Sequence, residues 1–489
     1  MKYEAYFNKF RENILGINHS FESPYGTQKI VYADWTASGR LYEPIERKML
    51  EAFGPFVGNT HSESSITGGL MTHAYHHAHE IIKKHVHAST DDVLLFVGTG
   101  MTAAINKFQR ILGLKVPERF RDAFAIPADE RPVVFVTHME HHSNQTTWYE
   151  TVADVYVMKA TNDGLVDVDD LLSGLKQYEN RTFKIGSFSA CSNVTGIFSP
   201  YRHLAKIMHE HGGIAVVDFA ACAPYVKIDM HPADPNEKLD AIIFSPHKFL
   251  GGPGTPGVLI FDKHLYNLES PDQPGGGTVL WTNPWGQHKF SPDIEVREDG
   301  GTPGFLQAIK ASLVVQLKEE MGTEHIAVRE EELRTMMFEK MRTVPNLVML
   351  ANNMEKRLCM FSFYFPHIHY NLVVKLLNDR FGIQSRGGCS CAGTYGHYLL
   401  HVDKQHSKSI TDKIDEGDLS EKPGWVRLSL HPTTTNSEVD CMIDALKRIE
   451  KNISAWQSDY IYDRHSNEYH HRNENGAIAK MTEKWFEVT

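Results

Sequence analysis

Seven short apolar runs between residues 93 and 262 constrain this chain more than any other feature. They are VLLFVG (93–98), PVVFVTH (132–138), ADVYVMK (153–159), KIGSFSA (184–190), GIAVVDF (213–219), DAIIFSP (240–246) and GVLIFD (257–262). Each is nearly continuous in apolar, mostly β-branched or aromatic residues, which suits strands covered on both faces. Helical patterns lie between the runs, and crossover helices make neighbouring strands parallel. The expected fold class is therefore α/β, with a mostly parallel seven-stranded sheet. In such sheets ligands collect beyond the carboxyl ends of the strands, and the polar residues of interest follow these runs directly.

The sheet pattern occupies a large domain expected over 30–315, preceded by an N-terminal segment (1–29) expected to pack near a smaller domain. A long amphipathic helical pattern over 305–345 leads into that smaller α+β domain (316–456). It contains LCMFSFYF (358–365), the helix YNLVVKLLNDRF (370–381), VRLSL (426–430) and a helix over 438–456. A polar insert, 396–424, interrupts it, and long loops of this kind serve as lids or are disordered. The tail, 457–489, is polar and expected to be loosely ordered.

Composition narrows the function. Lys and Arg number 50 against 61 Asp and Glu, a net charge of −11 with no basic run, which argues against a nucleic-acid partner. A hydrophobic content of 41% rules out a disordered chain. The opening MKYEAYFNKFRENILG lacks the apolar core of a secretory signal. The apolar runs are far shorter than the ~20 residues of a membrane span. Six cysteines in 489 residues do not read as a disulfide framework, and Cys389 and Cys391 stand too close for an easy mutual bridge. The expectation is a cytoplasmic protein with reduced thiols and no membrane partner.

Four features carry chemistry. Ser245-Pro246-His247-Lys248 follows a strand and precedes the glycine-rich FLGGPGTPG (249–257). A lysine there is either solvated at the strand end or used as an amine, since a buried ammonium is costly unless paired. Asp218 ends GIAVVD and suits either a helix cap or a partner for a pyridinium nitrogen. Gly98-Thr99-Gly100-Met101-Thr102 opens a helix after a strand, where backbone N–H groups and a hydroxyl make a phosphate seat or a plain turn. It matches neither the dinucleotide glycine motif nor a P-loop. Glu140-His141-His142-Ser143-Asn144 follows another strand, where a histidine can stack on a planar ring or, as an adjacent pair, suggest metal.

These features, in this order, resemble the class V aminotransferase superfamily of pyridoxal 5'-phosphate (PLP) enzymes of fold type I, nearest the cysteine desulfurase and selenocysteine lyase group. EHHSN, SNVTG (192–196), VDFA (217–220), SPHK (245–248) and GGTPG (300–304) carry the likeness, which covers about 30–315 and resumes at 383–432. The resemblance implies that Lys248 forms the Schiff base with the cofactor, Asp218 faces the ring nitrogen and His141 stacks on the ring. Gly100, Met101 and Thr102 would seat the phosphate with Ser245 and His247, and Asn193 of SNVTG would also contact the cofactor. Thr302 would reach the phosphate of a neighbouring subunit, since the family's sites form across a homodimer interface. Ala37, in Asp34-Trp35-Thr36-Ala37-Ser38, and His61, in Asn59-Thr60-His61, would lie on substrate-side loops.

The same resemblance places the reactive thiol of Arg386-Gly387-Gly388-Cys389-Ser390-Cys391-Ala392 at Cys391, five residues after Arg386. A thiol attacks as the thiolate, and its unperturbed pKa of ~8.5 makes nearby positive charge useful; Arg386 is one source. The alternative is a pair of small buried residues in a glycine-rich turn. Arg427 matches the arginine that grips the substrate α-carboxylate, a bidentate task suited to guanidinium. The implied activity is removal of sulfur from L-cysteine or a related small amino acid, through a cysteine persulfide, with a sulfur-acceptor protein as partner. Ala221 departs from the family, which often carries Gln or His three residues after the aspartate. That departure favours a transaminase, epimerase or other lyase acting without the thiol. A metal hydrolase built on His73, His76, His77 and His79, and a non-catalytic sulfur carrier, are further alternatives. The histidine helix lacks a zincin motif, so no metal is expected, and no G-x-S-x-G supports a serine hydrolase.

Overall fold

The computed structural model describes residues 2–60, 62–124, 126–473 and 476–488. All seven runs form strands of one sheet: β1 (Asp92–Val97), β2 (Val133–Val136), β3 (Asp154–Val157), β4 (Lys184–Ser189), β5 (Ile214–Asp218), β6 (Ala241–Phe244) and β7 (Gly257–Asp262). Their order is β1-β7-β6-β5-β4-β2-β3. β2 through β6 pair in parallel, whereas β7 runs antiparallel to both β6 and β1. The exception has a local cause. The segment 245–256 between β6 and β7 is rich in glycine and proline and holds only one short turn of helix, Pro246–Lys248, so it cannot build a crossover and doubles back.

Alternation within the strands feeds two cores. Ile242, Phe244, Val258 and Ile260 pack to one side with Val314 and Val315, while Ala241, Ile243 and Leu259 pack to the other with Ala104, Ile105 and Phe108. The helical pattern over 305–345 is two helices, Phe305–Met321 and Thr323–Met341, because Gly322 at φ 75° breaks the run.

A second, antiparallel sheet contains β8 (Val348–Met349), β9 (Met360–Tyr364), β10 (Arg386–Gly388) and β11 (Trp425–Ser429), in the order β8-β9-β11-β10. Helices Tyr370–Phe381 and Asn436–Trp456 close its core. The insert forms helices Gly393–Leu399 and Lys404–Asp415. Residues of the polar tail pair as the hairpin Tyr460–Asp463 with Glu468–His471, tied down by Arg380 to Asp459 at 2.7 Å and Tyr460 to Asp379 at 3.1 Å. This part of the tail is thus structured where its composition suggested looseness: Tyr462 and Tyr469 pack on His369, and Asn467 donates to the Tyr370 hydroxyl.

The chain from 31 to 40 links the two sheets. Val31–Tyr32 pairs in parallel with Ile383–Gln384, the Ser429 N–H donates to the Ala33 carbonyl at 2.7 Å, and the Gly39 N–H donates to the His247 carbonyl at 2.9 Å.

Candidate active site

A cavity of about 250 Å³ opens at the carboxyl ends of the parallel strands, facing the second sheet. Five strand ends supply it. Gly100, Met101 and Thr102 start the helix after β1, His141 caps the helix after β2, Ser189 ends β4 with Cys191 and Asn193 following, Asp218 ends β5, and Ser245, His247 and Lys248 follow β6. Ala37, Arg386, Cys391 and Arg427 complete the wall from the linking segment and the second sheet.

Burial sets the protonation states. The Lys248 ammonium is pushed below its usual value by burial, with Asp218 opposing the shift and Arg427 adding to it. Burial raises the Asp218 carboxyl to about 6 despite its hydrogen bond from the Ala220 N–H at 2.7 Å. Burial, then Lys248, holds His141 down to about 3, a neutral imidazole. Its Nδ1 accepts from the Ser143 N–H at 3.1 Å, which leaves the ring proton on Nε2. Beneath it, the fully buried Glu140 accepts from Thr137, Asn144 and Ser189, anchoring this strand end to β4.

The start of the Gly100–Ile111 helix forms an anion seat. Met101 N–H donates to Ser245 Oγ at 2.8 Å, and Thr102 and Ser143 hydroxyls meet at 2.6 Å. Gly100 has φ 64°, and a Cβ there would stand 3.1 Å from Ser245 Oγ and 3.4 Å from His247 Nε2, so glycine keeps the seat open.

On the opposite wall, Arg427 is fully buried, and burial lowers its pKa. It donates through Nη2 to Asp34 Oδ1 at 2.9 Å and through Nη1 to the Asn193 carbonyl at 2.8 Å. The thiol loop is tied down at three points. Asn193 Nδ2 donates to the Ser390 carbonyl at 2.7 Å, His142 N–H to the Cys391 carbonyl at 2.7 Å, and Gly393 N–H to His142 Nε2 at 2.9 Å. Ser390 and Cys391 are both left-handed, at φ 52° and 56°, a conformation that non-glycine residues adopt at a cost. Cys391 is exposed and lines the cavity; Cys389 packs instead against a hydrophobic core that includes Ala392, Tyr395 and Trp425, and is not among the cavity's lining residues.

Most of the residues singled out in the sequence therefore meet in one cavity: Lys248, Asp218, His141, Gly100, Met101, Thr102, Asn193, Ser245, His247, Arg427, Arg386, Ala37 and Cys391. Thr302 is exposed and outside this cavity. His61 lies outside the described residues. Ala221 lines the wall with no polar group to offer. None of the histidines of the helix Ile66–His85 lines this cavity; His79 meets the Tyr75 carbonyl and His77 meets Glu80. Sequence reasoning missed Asp34, Glu140, Ser189 and Cys191. Their only signal was position, next to or within motifs already noted.

The cavity fits PLP. Thr36 Oγ1, Asn193 Oδ1, Ser390 Oγ and Arg427 Nε are buried in its wall with no hydrogen-bond partner among the described residues, and buried polar atoms are normally paired. An anion seat, an amine whose charged form burial disfavours, a buried carboxylate and a neutral imidazole match the phosphate, aldehyde, ring nitrogen and ring face of that molecule. This fold and wall define a PLP-dependent enzyme of fold type I. The family model for class V aminotransferases ("Aminotransferase class-V") matches residues 31–442, and the chain belongs to that family. It is 26% identical over 431 residues to a probable cysteine desulfurase of Staphylococcus aureus (strain COL), covering 87% of this chain and 94% of that protein. Among solved structures it is similar to the apo cysteine desulfurase of Thermococcus onnurineus NA1, with a TM-score of 0.72 at 22% identity over 91% of this chain and 98% of that one. It is also similar to the Escherichia coli cysteine desulfurase CsdA in its S-sulfonic acid form, with a TM-score of 0.70 at 21% identity and the same coverage. Among the described residues no helix is long and apolar enough to cross a membrane.

Proposed function

We propose that this chain is a cysteine desulfurase-like enzyme that moves the sulfur of L-cysteine, or a closely related amino acid, onto Cys391. The observation that carries the reading is the exposure of Cys391 to the cavity that holds Lys248, Asp218 and Arg427. Written in full, L-cysteine and the Cys391 thiol give L-alanine and the Cys391 persulfide: the substrate C–S bond breaks, an S–S bond forms, and a proton replaces sulfur on carbon.

The residues divide the work by chemistry. Lys248, Asp218, His141, Asn193, Ser245, His247 and the Gly100–Thr102 helix start would hold PLP, with Thr302 serving a neighbouring subunit in a cytoplasmic homodimer. Bound PLP supplies an electron sink for the electrons released at the substrate Cα. Arg427 holds the substrate α-carboxylate. Lys248 Nζ, whose ammonium form burial disfavours, takes the Cα proton. Asp218 keeps its negative charge opposite the ring nitrogen, and His141 keeps its proton on Nε2. Cys391 Sγ attacks the substrate sulfur, and a sulfur-acceptor protein later takes the sulfur from it.

Ala221 favours a second reading, a transaminase, epimerase or lyase of the same family acting on a non-sulfur amino acid. Alanine and sulfide release from L-cysteine with a thiol reductant separates the two. Cys391→Ala is expected to lose at least about 100-fold in turnover, and Cys389→Ala to keep wild-type turnover. Unchanged turnover in Cys391→Ala overturns the thiol role.

A further inference from the structure

One carboxylate stands behind the two arginines of the cavity wall. Asp34 gives Oδ1 to Arg427 Nη2 at 2.9 Å and Oδ2 to Arg386 Nε at 3.0 Å, so each oxygen holds one guanidinium. Both arginines line the cavity, whereas Asp34 does not. The Arg427 side chain is 3% exposed, Asp34 12% and Arg386 53%, so the inner guanidinium is fixed and the outer one still meets water. Arg427 keeps a buried Nε with no partner among the described residues, a donor left for an incoming anion. Two guanidiniums and one carboxylate leave this wall with a single net positive charge.

We infer that Asp34 is a specificity-determining, positioning residue that limits the site to amino acids with one carboxylate. The inference rests on the reading of Arg427 as the α-carboxylate grip and extends it to the class of amino acid admitted. A substrate with a second, side-chain carboxylate needs a second counter-charge. Arg386 is the guanidinium available, and Asp34 already neutralises it. Unpaired like charge in a partly desolvated site is strongly disfavoured, and one unit charge at this range changes binding by roughly tenfold or more.

The test uses the holoenzyme, with the absorption of bound cofactor reporting titrations of L-alanine and L-aspartate. Wild type is expected to bind alanine more tightly than aspartate. Asp34→Asn, which leaves the wall with two positive charges, is expected to shift that ratio toward aspartate by about tenfold. Adding Arg386→Gln to it restores one charge and the wild-type ratio. A purely structural Asp34 predicts instead that both ligands weaken by the same factor, and that result overturns the proposal. Arg386→Gln alone covers the case where Asp34→Asn does not fold: it is expected to move the ratio further from aspartate, and an unchanged ratio also overturns the proposal. Neither probe contains sulfur, so this test and sulfide release from cysteine fail separately.

Discussion

Asp218 is the residue whose chemistry depends most on where the fold puts it. At the end of β5 it is fully buried and its carboxyl is raised to about 6, against about 3.9 for a free aspartate. Between those values the folded, cofactor-free chain binds more protons than the unfolded one, so this residue's contribution lowers stability as pH climbs from about 4 to about 6 and stays unfavourable above. An asparagine in its place would keep the acceptor for the Ala220 N–H without the charge. Asp218→Asn is therefore expected to melt higher than wild type at pH 7 in the cofactor-free form, with the gap closing below pH 4. In the loaded form turnover is expected to fall by about 100-fold or more, because the anion proposed to face the ring nitrogen is gone. Thermal melts of both proteins across pH decide it: a pH-independent gap removes Asp218 as the titrating group.

The thiol loop shows how a short element can be held away from its preferred shape. Ser390 and Cys391 are both left-handed, and the Ser390 hydroxyl is buried without a partner among the described residues. Three hydrogen bonds from Asn193, His142 and Gly393 keep the loop there. Strain of this kind persists where surrounding structure over-determines it, and it aims the Cys391 side chain into the cavity. Ser390→Gly removes both the conformational cost and the orphaned hydroxyl. The variant is expected to gain up to about 1 kcal/mol in stability while losing turnover, since glycine frees the loop to wander. Denaturant midpoints with parallel activity assays test the pair; a gain in both rejects the idea that strain positions the thiol.

Across the whole molecule, the segment 31–40 couples the two sheets through the site. It pairs with Ile383–Gln384, just ahead of the second sheet, and with Ser429 of that sheet, and then lies against the lysine turn of the first. At Gly39 the approach is so close that a Cβ would sit 1.8 Å from the Phe249 carbonyl oxygen and 3.2 Å from that of Lys248. Gly39→Ala must displace the backbone next to Lys248, with an expected cost of roughly 2–4 kcal/mol and weaker cofactor retention. Unfolding curves with measured PLP occupancy check this; wild-type values for both refute the coupling. The cavity itself exists only between the sheets, since Arg427 and Cys391 come from one and Lys248 and Asp218 from the other.

The seven strands, their helical crossovers and the ligand-bearing strand ends were legible in the linear chain because buried parallel strands require unbroken apolar runs, a local property. That Lys248, Asp218, His141 and Arg427 would lie together was expected from motifs that resemble a known family's, and they line one cavity. The antiparallel β7 and the break at Gly322 follow from local glycine-rich sequence that the strand and helix patterns overran, whereas the hairpin of the tail depends on what packs against it. Asp34 is the sharpest case. Alone it is one acidic residue among 61, and its role appears only when folding brings Arg386 and Arg427, more than 350 positions away, to within 3.0 Å of its two oxygens. Periodicity and spacing are written along the chain, whereas a charge balance among distant side chains comes into being only in three dimensions.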